Sequence, residues 1–171
     1  MPLPQITYSI LEHFTNHQPA TEDAWYGPWN TILTMLFPAA DGFVVTPQRR
    51  IPGDNESTIP DFVIEVVKTI IGPPPSVTFR TVLIVEVKNS QHWPFGIPAL
   101  DRQLSRQTDA AFAGTAVAKV YWIGSIGPHW RYGVKQDDGQ QPQSLTGWHD
   151  VIHDEGSWQD LEELARLVRD M

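Results

Sequence analysis

The chain reads as an α/β domain, a mixed central β-sheet flanked by helices, and three observations carry that reading. β-Branched runs stand at 42–46, 61–66, 81–88 and 118–123. Stretches with apolar residues three to four apart precede and separate them, and clusters of Gly, Pro, Asn and Asp mark the joints.

The elements follow in order. Leu3 to Phe14 carries apolar residues at 3, 6, 10, 11 and 14 and predicts a first helix. Pro28 to Phe37 predicts a second, stopped by Pro38. Gly42-Phe43-Val44-Val45-Thr46 predicts a first strand, and Asp54-Asn55-Glu56-Ser57 a turn after it. In the next strand Asp61 and Glu65 share one face, while Phe62, Ile64 and Val66 take the other, because strand side chains alternate. Gly72-Pro73-Pro74-Pro75 predicts a hairpin-like connection stiffened by proline. In Thr81-Val82-Leu83-Ile84-Val85-Glu86-Val87-Lys88 the apolar start can be buried on both faces, and the polar end emerges with a period of two. Glu86 and Lys88 therefore share a face, and if the two strands pair, Asp61 approaches Glu86.

Trp93-Pro94-Phe95-Gly96-Ile97-Pro98 reads as a loop into a helix from about Pro98 to Ala113, followed by the strand Ala118 to Ile123. His129 to Val134 alternates like a further strand and Trp158 to Val168 reads as a C-terminal helix. These last elements, within 128–171, are expected to decorate a core spanning about 3–124. The 171 residues, 41% hydrophobic with seven Trp, suit one sizeable core, so 1–171 is expected to be a single domain.

Composition removes several function classes. Cysteine is absent, so disulfides, thiolate metal sites and a cysteine nucleophile are unavailable. The first residues lack the basic start and apolar run of a secretory signal, and no segment approaches a membrane span. An intracellular protein, cytoplasmic or nuclear, is expected, and the sequon Asn55-Glu56-Ser57 then carries no meaning. The net charge of −8 argues against a nonspecific nucleic-acid coat, since phosphate binding is driven by Lys and Arg. That charge is concentrated at the C-terminus: residues 149–171 hold seven acids against two arginines, a net −5.

Asp61, Glu86 and Lys88 are two carboxylates and an ammonium of the kind a divalent-metal phosphodiesterase uses. Phosphodiester hydrolysis needs a nucleophilic water, shielding of phosphate charge and support for the leaving alkoxide, all of which Mg²⁺ can supply. Hard cations prefer oxygen ligands, for which Asp61 and Glu86 are suited. Pro60-Asp61, then Glu86-Val87-Lys88 with the two acids 25 positions apart, resembles the signature of the PD-(D/E)XK nuclease superfamily. The order helix, three strands, helix, strand read above is the one this resemblance requires, over roughly residues 3–124.

The resemblance implies a restriction-endonuclease-like αβββαβ core holding Mg²⁺ or Mn²⁺ through Asp61, Glu86 and the backbone carbonyl of Val87. Lys88 would orient or help deprotonate the attacking water and neutralise developing charge. In parts of the family a glutamate on the first helix completes the metal shell, which points to Glu12, and Glu65 is placed to stand behind Asp61. Several exonuclease-like branches carry a glutamine on the helix after the lysine, which points to Gln103 and Gln107. The Gln-x-x-x-Tyr pattern of some of those branches is not met, since position 107 is Gln. Arg102 and Arg106, four apart on that helix, are candidate phosphate contacts, and Arg49-Arg50 is expected in a loop.

Other motifs fall short. His149-Asp150-Val151-Ile152-His153 has the histidine spacing of a zinc helix, but the acid is Asp and no third histidine follows near Gln159. Gly124-Ser125-Ile126-Gly127 is not a nucleophile elbow, and neither a phosphate-binding nor a dinucleotide-binding glycine loop occurs. Core and strand-edge packing is expected for most Trp, with Trp93 placed to touch a ligand. The expected function is a Mg²⁺- or Mn²⁺-dependent nuclease acting on nucleic acid, DNA ahead of RNA. The alternative is a catalytically silent binding or assembly module of the same fold, an acidic homodimer.

Overall fold

The computed structural model describes residues 3–51, 59–70, 76–114, 117–136 and 139–171. The turns expected around 54–57 and 72–75, and the sequon, lie outside them. The elements run α1 (Gln5–Asn16), α2 (Tyr26–Leu36), β1 (Phe43–Pro47), β2 (Phe62–Ile70), β3 (Ser76–Lys88), α3 (Ile97–Gly114), β4 (Val120–Ile126), β5 (His129–Lys135), β6 (Gln143–Ser144) and α4 (Glu155–Arg169).

The six strands form one mixed sheet in the order β1-β2-β3-β4-β5-β6. Only the central β3–β4 pair is parallel, with α3 as the crossover that a parallel pair requires. This explains the unbroken apolar run in β3. Val82 to Val87 are all buried because helices cover both faces of the sheet there.

On one face the main core joins α1, α2 and α4 to the sheet through Leu11, Trp25, Trp29, Leu33, Leu161 and Val168, all at or below 1% exposure. On the other face α3 lays Leu100 and Leu104 on Trp122 and Ile126, and Ala110 and Ala111 on Val63, Ile84 and Val120. Gly124 makes the close approach possible, since a Cβ there would lie 3.0 Å from Leu100 Cδ2 and 3.1 Å from Leu104 Cδ1.

The C-terminal elements build the core and do not merely decorate it. Leu161, Leu164, Ala165 and Val168 recur at helical spacing and are fully buried. Asp154 Oδ1 accepts from the Ser157 N–H at 2.6 Å and caps α4. Ser157 Oγ in turn accepts from Trp130 Nε1 of β5 at 3.0 Å, tying helix to strand.

The β2–β3 register slips between Ile64 and Glu65, where Val82 is the extra residue on β3. Val82 and Leu83 consequently both enter the main core. Trp25, Trp29 and Trp130 are completely buried, as expected of core residues. Among the described residues no helix is long and apolar enough to cross a membrane.

Candidate functional site

Asp61 stands one residue before β2, where that strand's ladder with β3 ends at the Phe62–Val85 pair. The next inward-facing donor of β3, the Val87 N–H, therefore has no strand partner on that side and donates to Asp61 Oδ2 at 2.6 Å. Tyr26, the first residue of α2, donates its hydroxyl to Asp61 Oδ1, also at 2.6 Å. The Asp61 backbone carbonyl accepts from Gln48 N at 2.9 Å. Two elements thus fix the carboxylate and a third segment fixes the backbone of a residue that is only 7% exposed.

Glu86 is 1% exposed and has one donor on each oxygen. Lys88 Nζ reaches Oε1 at 2.5 Å, and Gln107 Nε2 of α3 reaches Oε2 at 2.8 Å. The period of two in β3 sets the lysine beside the glutamate, and the packing of α3 on the sheet sets the glutamine over it. Gln107 Oε1 is buried and accepts no hydrogen bond among the described residues.

The loop after Lys88 is clamped. Gly127 N–H donates to the Lys88 carbonyl at 2.8 Å, and Gly127 adopts φ +59° against Ser90.

Burial and mutual repulsion dominate the electrostatics. Burial, then the charge of Asp61, push Glu86 up to about 7, against the opposing pull of Lys88 and Gln107. Burial also raises Asp61, with the hydrogen bonds from Tyr26 and Val87 pulling the other way. For Lys88, burial favours the neutral amine, but the charge of Glu86 and its hydrogen bond, with Glu22 and Asp61, leave its pKa above the ordinary value. The site thus joins two desolvated, mutually repelling carboxylates and one ammonium.

Glu22 was not singled out by the sequence reading. Its Oε1 lies 3.0 Å from the same Tyr26 hydroxyl that serves Asp61, and its charge acts on both Asp61 and Lys88. The signal available was an acid and a tyrosine four apart, Glu22 and Tyr26, at the entry to α2.

The remaining expected residues lie elsewhere. Glu12 is exposed on α1, and the described partners of the Asp61 and Glu86 side chains come from α2, β3 and α3. Gln103 is not among the described partners of Glu86. With Arg102, Arg106 and Gln141 it lines an open groove of about 590 Å³ on the outer side of α3. Glu65 is buried but pairs with Arg49, whose guanidinium also lies 5.0 Å from the Phe79 ring centroid.

Trp93 is packed into an aromatic cluster, stacked on His129 at 3.8 Å and edge-on to Trp148 at 4.9 Å. His149 and His153 do not share a helix. The first bonds Asp160 at 2.8 Å and the second packs on Tyr8.

Among the described residues no group of three or more His, Asp or Glu side chains is arranged to hold a metal ion. The oxygen donors gathered at this end of the sheet include Asp61 and Glu86, with Glu22, which shares the Tyr26 hydroxyl with Asp61, and Gln107 Oε1, unpartnered among the described residues, on the glutamine that donates to Glu86. Their chemistry fits a hard divalent cation better than any softer metal. No family model matches this chain, and neither does any curated protein or solved structure.

Proposed function

We propose that this protein is a divalent-metal-dependent nuclease of the restriction-endonuclease-like type, with Asp61 and Glu86 as ligands of Mg²⁺ or Mn²⁺ and Lys88 assisting the water. The observation that carries the proposal is the pairing of two buried, mutually repelling carboxylates from adjacent strands, with a lysine on the same strand face. The order of helix, three strands, helix and strand supports it.

In this reading Asp61, Glu86 and the Val87 carbonyl would hold the cation, which when bound supplies charge shielding for the phosphate and a more acidic water. The protein's own residues do the rest. Gln107 and Tyr26 keep the two carboxylate planes fixed. Lys88 carries a proton at Nζ through the physiological range, which suits it to hold the attacking oxygen in place and to neutralise charge on the phosphate. Arg102 and Arg106 on the outer side of α3 are the phosphate contacts of this proposal, and nucleic acid, DNA ahead of RNA, is its substrate.

A second reading, a catalytically silent binding or assembly module, is favoured by one observation. Each carboxylate oxygen of Asp61 and Glu86 already accepts a hydrogen bond from the protein. Incubation with labelled single- and double-stranded DNA and RNA, in Mn²⁺ or Mg²⁺ and in EDTA, separates the two. The nuclease reading expects cleavage only with metal; background cleavage indifferent to EDTA, with a folded protein, would favour the silent module.

A further inference from the structure

We infer that Tyr26 is the positioning residue of this site: its hydroxyl sets the plane of the Asp61 carboxylate and thereby its affinity for a divalent cation. The inference rests on the metal-site reading of Asp61 and Glu86.

Asp61 precedes β2, so strand pairing fixes its backbone and leaves the side chain to rotate. The Val87 N–H holds one oxygen at 2.6 Å, and a carboxylate held at one oxygen still swings about that bond. The Tyr26 hydroxyl, arriving from α2, holds the other at 2.6 Å, so the plane is defined by donors from two different elements. Each oxygen keeps a second lone pair, and the directions of those lone pairs are set by the two donors.

The tyrosine is itself immobilised. Its ring packs edge-on to Phe62 with centroids 5.8 Å apart, and its oxygen lies 3.0 Å from Glu22 Oε1. A phenol has one proton and two carboxylates compete for it. The shorter contact assigns that proton to Asp61, and Glu22 is the more distant acceptor. Donors that orient a ligating carboxylate in this way typically change metal affinity by about 10- to 100-fold when removed.

The test uses the full chain without substrate. Mn²⁺ is titrated and the free ion followed by its electron paramagnetic resonance signal in wild type, Tyr26→Phe and Tyr26→Ala, with thermal unfolding of each. Tyr26→Phe keeps the ring on Phe62, so it is expected to unfold like wild type while its Mn²⁺ affinity falls about tenfold or more. Tyr26→Ala also loses the ring contact, so it is expected to unfold at lower temperature with Mn²⁺ affinity close to that of Tyr26→Phe.

Wild-type affinity in Tyr26→Phe would overturn the inference alone. So would a loss of affinity confined to Tyr26→Ala, since packing would then account for it. Absence of Mn²⁺ binding by wild type would overturn the metal-site reading itself, and the role of Tyr26 with it.

Discussion

The Val87 amide donates to the Asp61 carboxylate at 2.6 Å, so the residue just before one strand completes the hydrogen bonding of the next at the point where their ladder ends. This contact holds Asp61 beside the Glu86-Val87-Lys88 segment. It also places an acceptor carboxylate close enough to Glu86 for the two charges to repel.

Opposite shifts of the Glu86 carboxyl are expected from its two neighbours. Asp61→Asn removes a negative charge that pushes Glu86 up, so its pKa should fall below about 7. Gln107→Leu removes a hydrogen bond that pulls it down, so its pKa should rise above about 7. Titration of ¹³C-labelled glutamate carboxyls by NMR reads both, and shifts of the same sign would contradict the geometry.

Stability should depend on pH through the same group. Glu86 rises from 4.5 in the unfolded chain to about 7 in the fold, so between these values the folded state binds more protons than the unfolded one. Its stabilising contribution is therefore complete below pH 4.5 and is lost as pH climbs through 7, to the extent of roughly 3 kcal/mol. Glu86→Gln lacks this loss. Urea unfolding from pH 4.5 to 7.5 should show the variant gaining stability relative to wild type as pH rises; parallel curves would contradict the shift.

Gly127→Ala should destabilise the fold by about 2 kcal/mol or more, combining left-handed backbone cost with overpacking. Gly127 has φ +59°, and a Cβ there would lie 2.8 Å from Ser90 Cβ and 2.9 Å from its Cα. The midpoint of chemical unfolding measures this, and an unchanged midpoint would mean that the Lys88 loop is not clamped as described.

Much of this arrangement was legible in the sequence, for physical reasons that also explain what was not. The period of two places Glu86 and Lys88 on one strand face, and the hydrophobic run before them implies a strand covered on both sides. Both are local properties of β3. Gln107 was within reach only through the family resemblance, which implies a glutamine on the helix after the lysine. Gln103 lies one turn earlier on the same helix and lines the outer groove, a difference of position along α3 that spacing alone does not resolve.

Glu22 and Tyr26 escaped because they sit in the entry to α2, where the direction of a side chain depends on tertiary docking. The family resemblance points to a glutamate on the first helix, and so Glu12 drew notice, while helical spacing does not say which helix end abuts the strand ends, where Glu22 sits. The stripe Leu161, Leu164, Ala165 and Val168 was visible as amphipathic, yet its place in the main core depended on how α4 docks beside Trp130.

Lys88→Ala assayed beside wild type tests the central claim most directly, with nucleic-acid cleavage followed in Mn²⁺ and in EDTA and Mn²⁺ binding measured on the same samples. The nuclease account predicts metal-dependent cleavage by wild type and its loss in a folded variant that still binds Mn²⁺. Equal cleavage by both proteins, or none by a wild type that is folded and loaded with Mn²⁺, would contradict it.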